Sequence, residues 1–589
     1  MGADGGQSYQ LEHAVNPDPA LLHWADFDWY AAHLCVPVRV TGRTITYAAA
    51  DPIATRAALT AKERRPFHLT NMPRQEIIDL LNARFHVQLT DHAVSALVRL
   101  DPVRSAASGL TFVQGASGIA LFVLLALAAL IDSAATARLV NLVMLGIFTL
   151  LLAFRILILC QREKAPPGHC AHPCAPLKSA LPVYTILVPM FDEADMVDDL
   201  IDALSRLTYP REKLDIKLIL EKSDHTTIRK VARNKCPLPY EIILVPPSLP
   251  KTKPKACNYA LKFARGDYLV IYDAEDRPEA DQLITAMDAF RGAPQDLVCL
   301  QAPLSFYNPD QNWLTRQFTI EYAVWFRVVL PALQRLNLPI PLGGTSNHFR
   351  ADVLKKIGAW DPYNVTEDAD LGMRIARSGG ACGIINSTTY EEANSQLGNW
   401  IRQRSRWQKG FCQTWTVHMR APGNLISGLG IKGFCGFQLV IGGSIMAGLG
   451  ALLSLFFIAF HMLKQGPSIP LQQMSVLQAI NLALFALCLG VTAVAAFKGL
   501  TRTGFRSLSA GILAMPLYWL LVSLAACKGM WQLIANPFYW EKTRHGLTPP
   551  HRAKARHPAR LDQPYAISRK SSPQYFEERS ATIRPPIAE

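Results

Sequence analysis

The chain has 589 residues, half of them hydrophobic and only 18% charged, against roughly 25% charged in ordinary soluble domains. Lys and Arg outnumber Asp and Glu by 60 to 46, a net charge of +14, yet the basic residues flank apolar runs instead of lining an aromatic-interleaved groove. That distribution excludes nucleic acid as the main partner and implies a membrane protein with its positive loops inside.

At ~150 residues per domain the length implies three or four parts. The twelve cysteines are scattered, and Cys160, Cys435, Cys488 and Cys527 sit within apolar runs. They read as thiols on a reducing side, not as a disulfide framework. The first hundred residues are polar and mixed without a signal-peptide pattern, so the N-terminus is expected in the cytoplasm.

Residues 1–105 read as a small α/β domain. Val36 to Val40 and Thr44 to Ala49 flank the turn Thr41-Gly42-Arg43 and predict a hairpin. Asp51-Pro52 opens a helix, a short strand lies near Phe67 to Leu69, and a helix runs from Pro73 to about Phe85. His33 to Val40, Ala48 to Pro52 and the Glu76 to Arg84 helix resemble the N-terminal domain of type II secretion ATPases. Relatives of that domain bind cyclic di-GMP through a preceding Arg-Leu-Gly-type motif, which this sequence lacks. A docking or packing module, regulatory at most, is expected here.

The apolar runs Leu110 to Ile131 and Leu139 to Cys160 each exceed the ~20 residues that a spanning helix needs, giving two transmembrane helices over 110–160. Arg155 can snorkel to the cytoplasmic face. Residues 161–180 form a Pro- and Cys-rich linker. Its His169-Cys170 and His172-Pro173-Cys174 have no second ligand pair at finger spacing, so a plain linker is expected over a zinc site.

Over 181–422 short apolar strands alternate with helices, the pattern of a doubly wound parallel sheet. The strands expected are Tyr184 to Pro189, Ile216 to Leu220, Tyr240 to Val245, Asp267 to Tyr272 and Leu297 to Gln301. Charged groups follow several of them, at the strand ends where open α/β sheets bind ligands.

Three apolar blocks follow within 433–535: Phe434 to Leu463, Val476 to Phe497 and Leu508 to about Leu533. The basic loop Lys498 to Arg502 and the basic tail over 536–589 both belong in the cytoplasm, which a single crossing between them forbids. The last block, broken by Pro516, is therefore expected to be re-entrant or double, with five or six crossings in all. The tail from Leu547 is Pro-, Arg- and Ser-rich and expected to be disordered.

Three polar clusters carry the chemistry. Asp273, Glu275 and Asp276 stand at the carboxyl end of Tyr268 to Tyr272, and such crowded carboxylates suit Mg²⁺ or Mn²⁺. Standing alone they would read first as a solvated acidic turn with a helix N-cap. Thr366 is a candidate N-cap for a helix opening with Glu367 and Asp368, where acids serve either the helix dipole or, for Asp368, as a general base. Gln403, Arg406 and Trp407 share one helix face, fit to hold a sugar and a diphosphate or to lie on the membrane.

In this order and at this spacing, residues 182 to about 545 resemble a membrane-embedded family 2 glycosyltransferase of the cellulose and hyaluronan synthase kind. The resemblance implies an α/β fold of glycosyltransferase A type, inserted between transmembrane helices and preceded by the small α/β domain. Glu221 stands for the acid that holds the nucleotide base, with Asp224 close by, and Lys255 and Asn258 fall in the Lys-x-x-Asn segment that meets the diphosphate. Asp273-Ala274-Glu275 takes the place of Asp-x-Asp, departing at its second acid, with Asp276 adjacent. Thr366-Glu367-Asp368 matches the catalytic-base motif, with Glu367 and Asp368 catalytic. Gln403-Arg404-Ser405-Arg406-Trp407 matches Gln-x-x-Arg-Trp, and Gly344 and Thr345 lie in the acceptor loop. Tyr539 to Gly546 resembles a segment that gates the site.

The resemblance implies an inverting transferase in the inner membrane, multi-pass, with its catalytic domain in the cytoplasm. It takes a nucleotide-sugar, UDP-linked, with Mg²⁺ or Mn²⁺ as cofactor. The acceptor is a growing polysaccharide or a lipid-linked sugar, and other export or envelope proteins are candidate partners. Processive synthesis with export through its own helices leads. Single transfer to a lipid carrier and a catalytically silent export scaffold are the alternatives.

Overall fold

A computed structural model of the protein describes residues 18–162, 181–234, 238–450, 475–543 and 546. The linker histidines and cysteines and the tail from Leu547 lie outside the described residues.

The first part places α1 (Phe27–His33) before the hairpin of β1 (Cys35–Thr41) and β2 (Thr44–Ala49). Asp51 accepts from the backbone N–H of Ile53 and Ala54 and so caps α2 (Pro52–Lys62). β3 (Phe67–Asn71) pairs parallel to β2. α3 (Arg74–Leu100) is longer than the expected helix: Phe85 (φ −114°, ψ 16°) makes a kink, not an end, in a 27-residue element. Ile77, Leu81, Phe85, Leu89, Ala93 and Leu97 recur every fourth residue and are all buried, so one apolar face runs the whole length and packs on the middle domain.

α4 (Phe112–Ile131) opens on a Thr111–Gln114 capping box, and Asp132 caps α5 (Ser133–Leu159). α4 is apolar on every side and buries none of it within the protein, as befits a helix in lipid. Near the end of α5, Arg155 Nη1 donates to Thr492 Oγ1 at 3.0 Å.

In the middle domain the elements run β4 (Tyr184–Met190), α6 (Val197–Ser205), β5 (Leu214–Glu221), α7 (His225–Arg233), β6 (Tyr240–Val245), α8 (Lys253–Leu261), β7 (Tyr268–Ile271), β8 (Arg277–Pro278), α9 (Gln282–Arg291) and β9 (Leu297–Gln301). Then come β10 (Leu304–Phe306), α10 (Trp313–Val324), α11 (Leu330–Arg335), β11 (Asn347–Arg350), α12 (Ala351–Lys356), α13 (Glu367–Arg377), β12 (Ala381–Ile384), β13 (Thr389–Glu391) and α14 (Leu397–His418). All five expected strands are present. The main sheet has order β12-β9-β11-β7-β4-β5-β6, but it is mixed, not all parallel: β11 runs antiparallel to both β7 and β9. Asn-His-Phe-Arg has no apolar run to mark it as a strand, and it takes its place only because two buried strands leave a gap. β10, β13 and β8 form a smaller sheet beside the site.

The last part begins with α15 (Pro422–Phe437), kinked at Gly430 (φ 68°), passing through a π turn at Gln438–Gly442 within an apolar stretch that reaches Gly450. α16 (Val476–Thr503) follows. A 3₁₀ segment, Arg506–Ala514, then leads into α17 (Met515–Ala535), with Pro516 in its first turn. Pro516 thus starts a helix instead of breaking one. Among the described residues five helical stretches are long and apolar enough to cross a membrane. α17 runs alongside α14: Tyr518 meets Trp400, and Met530 Sδ lies 3.3 Å from Cys412 Sγ.

Candidate active site

The end of β7 sets one wall. Asp273 N donates to Asp276 Oδ2 at 2.7 Å and Thr345 Oγ1 at 3.3 Å, while the Thr345 hydroxyl also donates to Asp276 Oδ2. The 343–347 loop is braced from behind by Gln301, whose Oε1 accepts from Gly343 N at 2.7 Å and whose Nε2 donates to Thr345 O at 2.9 Å. Lys253, at the start of α8, donates to Asp273 Oδ1 and, at 2.7 Å, to Gly344 O.

This wall carries more negative charge than it can hold alone. Asp276 is 1% exposed, and its Oδ1 is buried without a hydrogen-bond partner, as is Glu391 Oε1 at the end of β13. Burial, then Asp273 and Glu275, push the Asp276 carboxyl well above the usual range. Burial, then Asp276, Glu275 and Asp273, do the same to Glu391. Among the described residues no three His, Cys, Asp or Glu side chains form a complete metal cage. Mg²⁺ and Mn²⁺ need only one or two carboxylates, taking their other ligands from phosphates and water. Asp273, Glu275 and Asp276 are the acids at this strand end that would hold such an ion, and Asp276 Oδ1 is a buried oxygen without a partner among them.

The second wall is the start of α13. Thr366 occupies the cap position but makes no side-chain cap bond; its hydroxyl donates instead to Asn364 Oδ1 at 3.4 Å. Asp368 Oδ1 accepts from Ala369 N at 2.8 Å. Asp368 Oδ2 lies 3.5 Å from where a Cβ on Gly344 would stand, an ordinary contact distance. Burial raises Asp368 to about 6 against the opposing pull of Lys253 and Arg406. Burial and Asp368 raise Glu367 to about 8. Gly410 on α14 abuts Thr366 so closely that any Cβ would collide, which lets α14 lie directly behind the acids.

α14 divides its motif between two jobs. Arg406 lies in the field of Glu367, Asp273, Asp368 and Glu275; its Nη1 donates to Glu541 O at 3.0 Å and its guanidinium sits 4.7 Å over the Trp540 ring. Trp407 is part-buried, stacked on Tyr322 at 6.2 Å and tilted against Phe318 at 5.9 Å. Gln403 Oε1 accepts from Asn394 Nδ2 at 2.8 Å. Arg404, expected at the acceptor or diphosphate, faces away from these acids. It binds Glu321 through Nη1 at 2.8 Å and Tyr518 OH at 2.9 Å, tying α14 to α10 and α17.

At the donor end Glu221 closes β5, its Oε1 paired with Lys255 Nζ at 2.9 Å and its Oε2 buried and unpartnered, an acceptor held ready. Two further residues near the donor end have protein partners. Asn258 Nδ2 donates to Ala93 O (3.1 Å) and Trp360 O (2.7 Å), and its Oδ1 accepts from Trp360 N (3.1 Å), so it ties α8 to α3 and to the loop before α13. Asp224 caps α7 through Thr227 N and accepts from Asp192 N. The sequence reading also missed Lys253, Glu391 and Gln301. Lys-Pro-Lys at 253–255 was the available signal for the first.

The segment after α17 packs against α14 and the loop after β4. Lys409 Nζ donates to Tyr539 O at 2.7 Å and Gln413 to Pro537 O at 2.9 Å. Lys542 reaches Asp192 O at 3.0 Å, and Gly546 N donates to Glu392 Oε2 at 2.5 Å.

Residues 182–410 match the model of "Glycosyltransferase like family 2" and residues 7–91 that of the MshEN domain. A probable glycosyltransferase YdaM of Bacillus subtilis (strain 168) is 24% identical over 233 residues, 39% of this chain and 55% of that protein. Glucomannan 4-beta-mannosyltransferase 9 of Arabidopsis thaliana is 26% identical over 250 residues, 39% of this chain and 45% of that protein. The chain thus spans about half the length of these curated relatives. A solved mannosyltransferase, PcManGT from Pyrobaculum calidifontis in complex with GDP-Man and Mn²⁺, aligns with a TM-score of 0.44 and 19% identity over 66% of this chain and 96% of that one. The middle domain, residues 182–410, belongs to the family 2 glycosyltransferases, and an MshEN domain precedes it at residues 7–91.

Proposed function

We propose that the protein transfers a sugar from a nucleoside-diphosphate donor, UDP-linked, to a hydroxyl of a growing polysaccharide, by one in-line displacement with inversion. The observation that supports this reading is that Lys253 pairs with Asp273 and that Lys253 and Arg406 both lie close enough to Glu367 and Asp368 to act on them electrostatically. Asp368 Oδ2, beside Gly344, takes the proton of the attacking hydroxyl. Glu221 Oε2 accepts from the donor's base, Arg406 stabilises the leaving diphosphate, and Trp407 with Tyr322 and Phe318 gives the acceptor sugar an apolar face. A divalent cation on Asp273 and Glu275 would supply charge neutralisation at the diphosphate.

The amphipathic site helix α14 lies at the cytoplasmic face of the inner membrane, and α17 lies beside it on that same face. α4, α5, the stretch ending at Gly450 and α16 then cross in alternation. Both basic loops stay in the cytoplasm, and the crossing conflict disappears. The growing chain passes outward between these helices, and the 536–546 segment gates the cleft.

A second donor is favoured by one finding. The Arabidopsis relative is named as a mannosyltransferase, which makes a nucleotide-linked mannose, on UDP or GDP, the alternative donor. Purified protein is given both donor classes with Mg²⁺ or Mn²⁺ and its product is sized. A polymer supports the processive reading, a singly glycosylated lipid supports transfer to a carrier, and no product with any donor overturns both.

A further inference from the structure

A wholly buried polar network lies behind the carboxylate wall, with the side chain of Gln282, at the start of α9, at its centre. Tyr184, Tyr272, Gln282, Ser346, His348 and Thr389 are all 0% exposed. Gln282 Oε1 accepts from Tyr272 OH at 2.9 Å and faces His348 Nε2 at 3.3 Å. Its Nε2 donates to Thr389 Oγ1 at 3.1 Å and to Ser387 Oγ at 3.3 Å. Tyr184 OH sits 2.7 Å from His348 Nδ1. With Tyr184 donating there, His348 carries its proton on Nε2 and gives it to Gln282. Ser346 in turn donates to Thr389 Oγ1 at 2.6 Å.

Each arm of this network ends one or two residues from a group of the wall. Tyr272 precedes Asp273. Ser346 follows Thr345, whose hydroxyl donates to Asp276 Oδ2. Thr389 lies two residues before Glu391, on the same face of β13. The ladder between β7 and β11 ends at the pair Ile271 and Asn347, so Tyr272 and Asp273 lie beyond it. β13 belongs to the smaller sheet, while β7 and β11 belong to the main one. The acids on the two sheets repel one another, since Asp276, Glu275 and Asp273 all act against ionisation of Glu391. Something must hold them at a fixed spacing. A carboxamide suits that post, because one planar group offers two acceptor positions and two donors. An apolar side chain of the same size would fill the space and leave its polar neighbours unanswered.

We propose that Gln282 is a positioning residue of the site: it touches no substrate, but fixes Asp273 and Asp276, at the end of the main sheet, against Glu391 on the smaller one. It thereby sets the affinity of the wall for a divalent cation. The inference rests on the glycosyltransferase reading above.

The test follows Mn²⁺ binding by the full-length protein in detergent, without donor, through the free-ion electron paramagnetic resonance signal. Gln282→Met keeps the volume and removes the amide. Tyr272→Phe removes the hydroxyl that reaches Gln282 from the end of β7. Both are expected to bind Mn²⁺ on the order of ten-fold more weakly than the wild type, the scale on which groups behind metal ligands act. Tyr184→Phe removes a hydroxyl from the far end of the same network and measures mere loosening. Its unfolding temperature falls as that of Tyr272→Phe does, while its Mn²⁺ affinity stays at the wild-type value. Should Gln282→Met fail to fold, the two tyrosine variants decide. Wild-type Mn²⁺ affinity in folded Gln282→Met or in Tyr272→Phe overturns the proposal. An equal loss in Tyr184→Phe does so too, as does absence of binding by the wild type. If the wild type turns over no nucleotide-sugar, the transferase reading fails, while the Mn²⁺ comparison still decides the role of Gln282.

Discussion

Arg404 and Arg406 stand two residues apart on α14 and serve different partners: Arg404 clasps Glu321 on α10, with Nη1 to Oε1 at 2.8 Å, while Arg406 faces the acids of the cleft. Arg404 is 7% exposed at its side chain and Glu321 34%, so the loss from breaking the pair is smaller than for a fully buried one. Arg404→Ala is predicted to cost on the order of 2 kcal/mol of stability, read as a lower unfolding temperature in detergent. The surviving folded fraction should keep the wild-type KM for donor. Arg406→Ala should do the reverse, with near-normal stability and a large loss of turnover.

Asp368→Asn removes a base while keeping size and burial. Its turnover is predicted to fall by roughly 10²–10⁴-fold, with donor affinity within about two-fold of wild type, measured by nucleotide-sugar binding in the presence of metal. An equal loss of binding and turnover would assign Asp368 to holding the donor.

The pH profile follows from the same residue. A base works ionised, and Asp368 ionises at about 6, so kcat/KM should rise with pH through about 6 and level off above it. Lys253 lowers the Asp368 value, so Lys253→Gln moves this limb to higher pH. Glu367, raised to about 8, holds its proton across the limb, and Glu367→Gln should leave the limb where it is.

The N-terminal domain binds the catalytic sheet as an extra edge partner. Gln75 donates to Ile242 O at 2.9 Å and accepts from Ile242 N at 2.8 Å, and Asn82 donates to Leu244 O at 2.8 Å. These bonds cover β6, which would otherwise be a bare sheet edge. Replacing Gln75 and Asn82 together by Ala should cost about 1 kcal/mol per bond and speed hydrogen exchange at the amides of β6. Unchanged exchange there would mean that the apolar face of α3 holds the domain without them.

The sequence made some of this legible and hid the rest for identifiable reasons. Tyr268 to Tyr272 followed by three acids could be read because a buried strand is a short apolar run and its end is where charge collects. β11 could not be read, since its four residues have no apolar period. Asn258 and Lys255 were placed at the donor through resemblance alone; the Asn258 partners Ala93 and Trp360 lie more than a hundred positions away and Lys255 meets Glu221 from another element, so no local spacing announces these contacts. Lys253 and Glu391 join the site from separate elements, α8 and β13, and no local spacing relates them. The side-by-side course of α14 and α17 was likewise hidden, because an apolar helix reads the same whether it crosses a bilayer or lies against another helix.

The central claim is that acids and cations far apart in sequence form one sugar-transferring centre. The most direct measurement is release of UDP or GDP from a nucleotide-sugar by the purified protein, with and without a chelator, for the wild type and Asp368→Asn. The account predicts release by the wild type that stops on chelation and is nearly absent in Asp368→Asn. Release at the same rate by both proteins would contradict it.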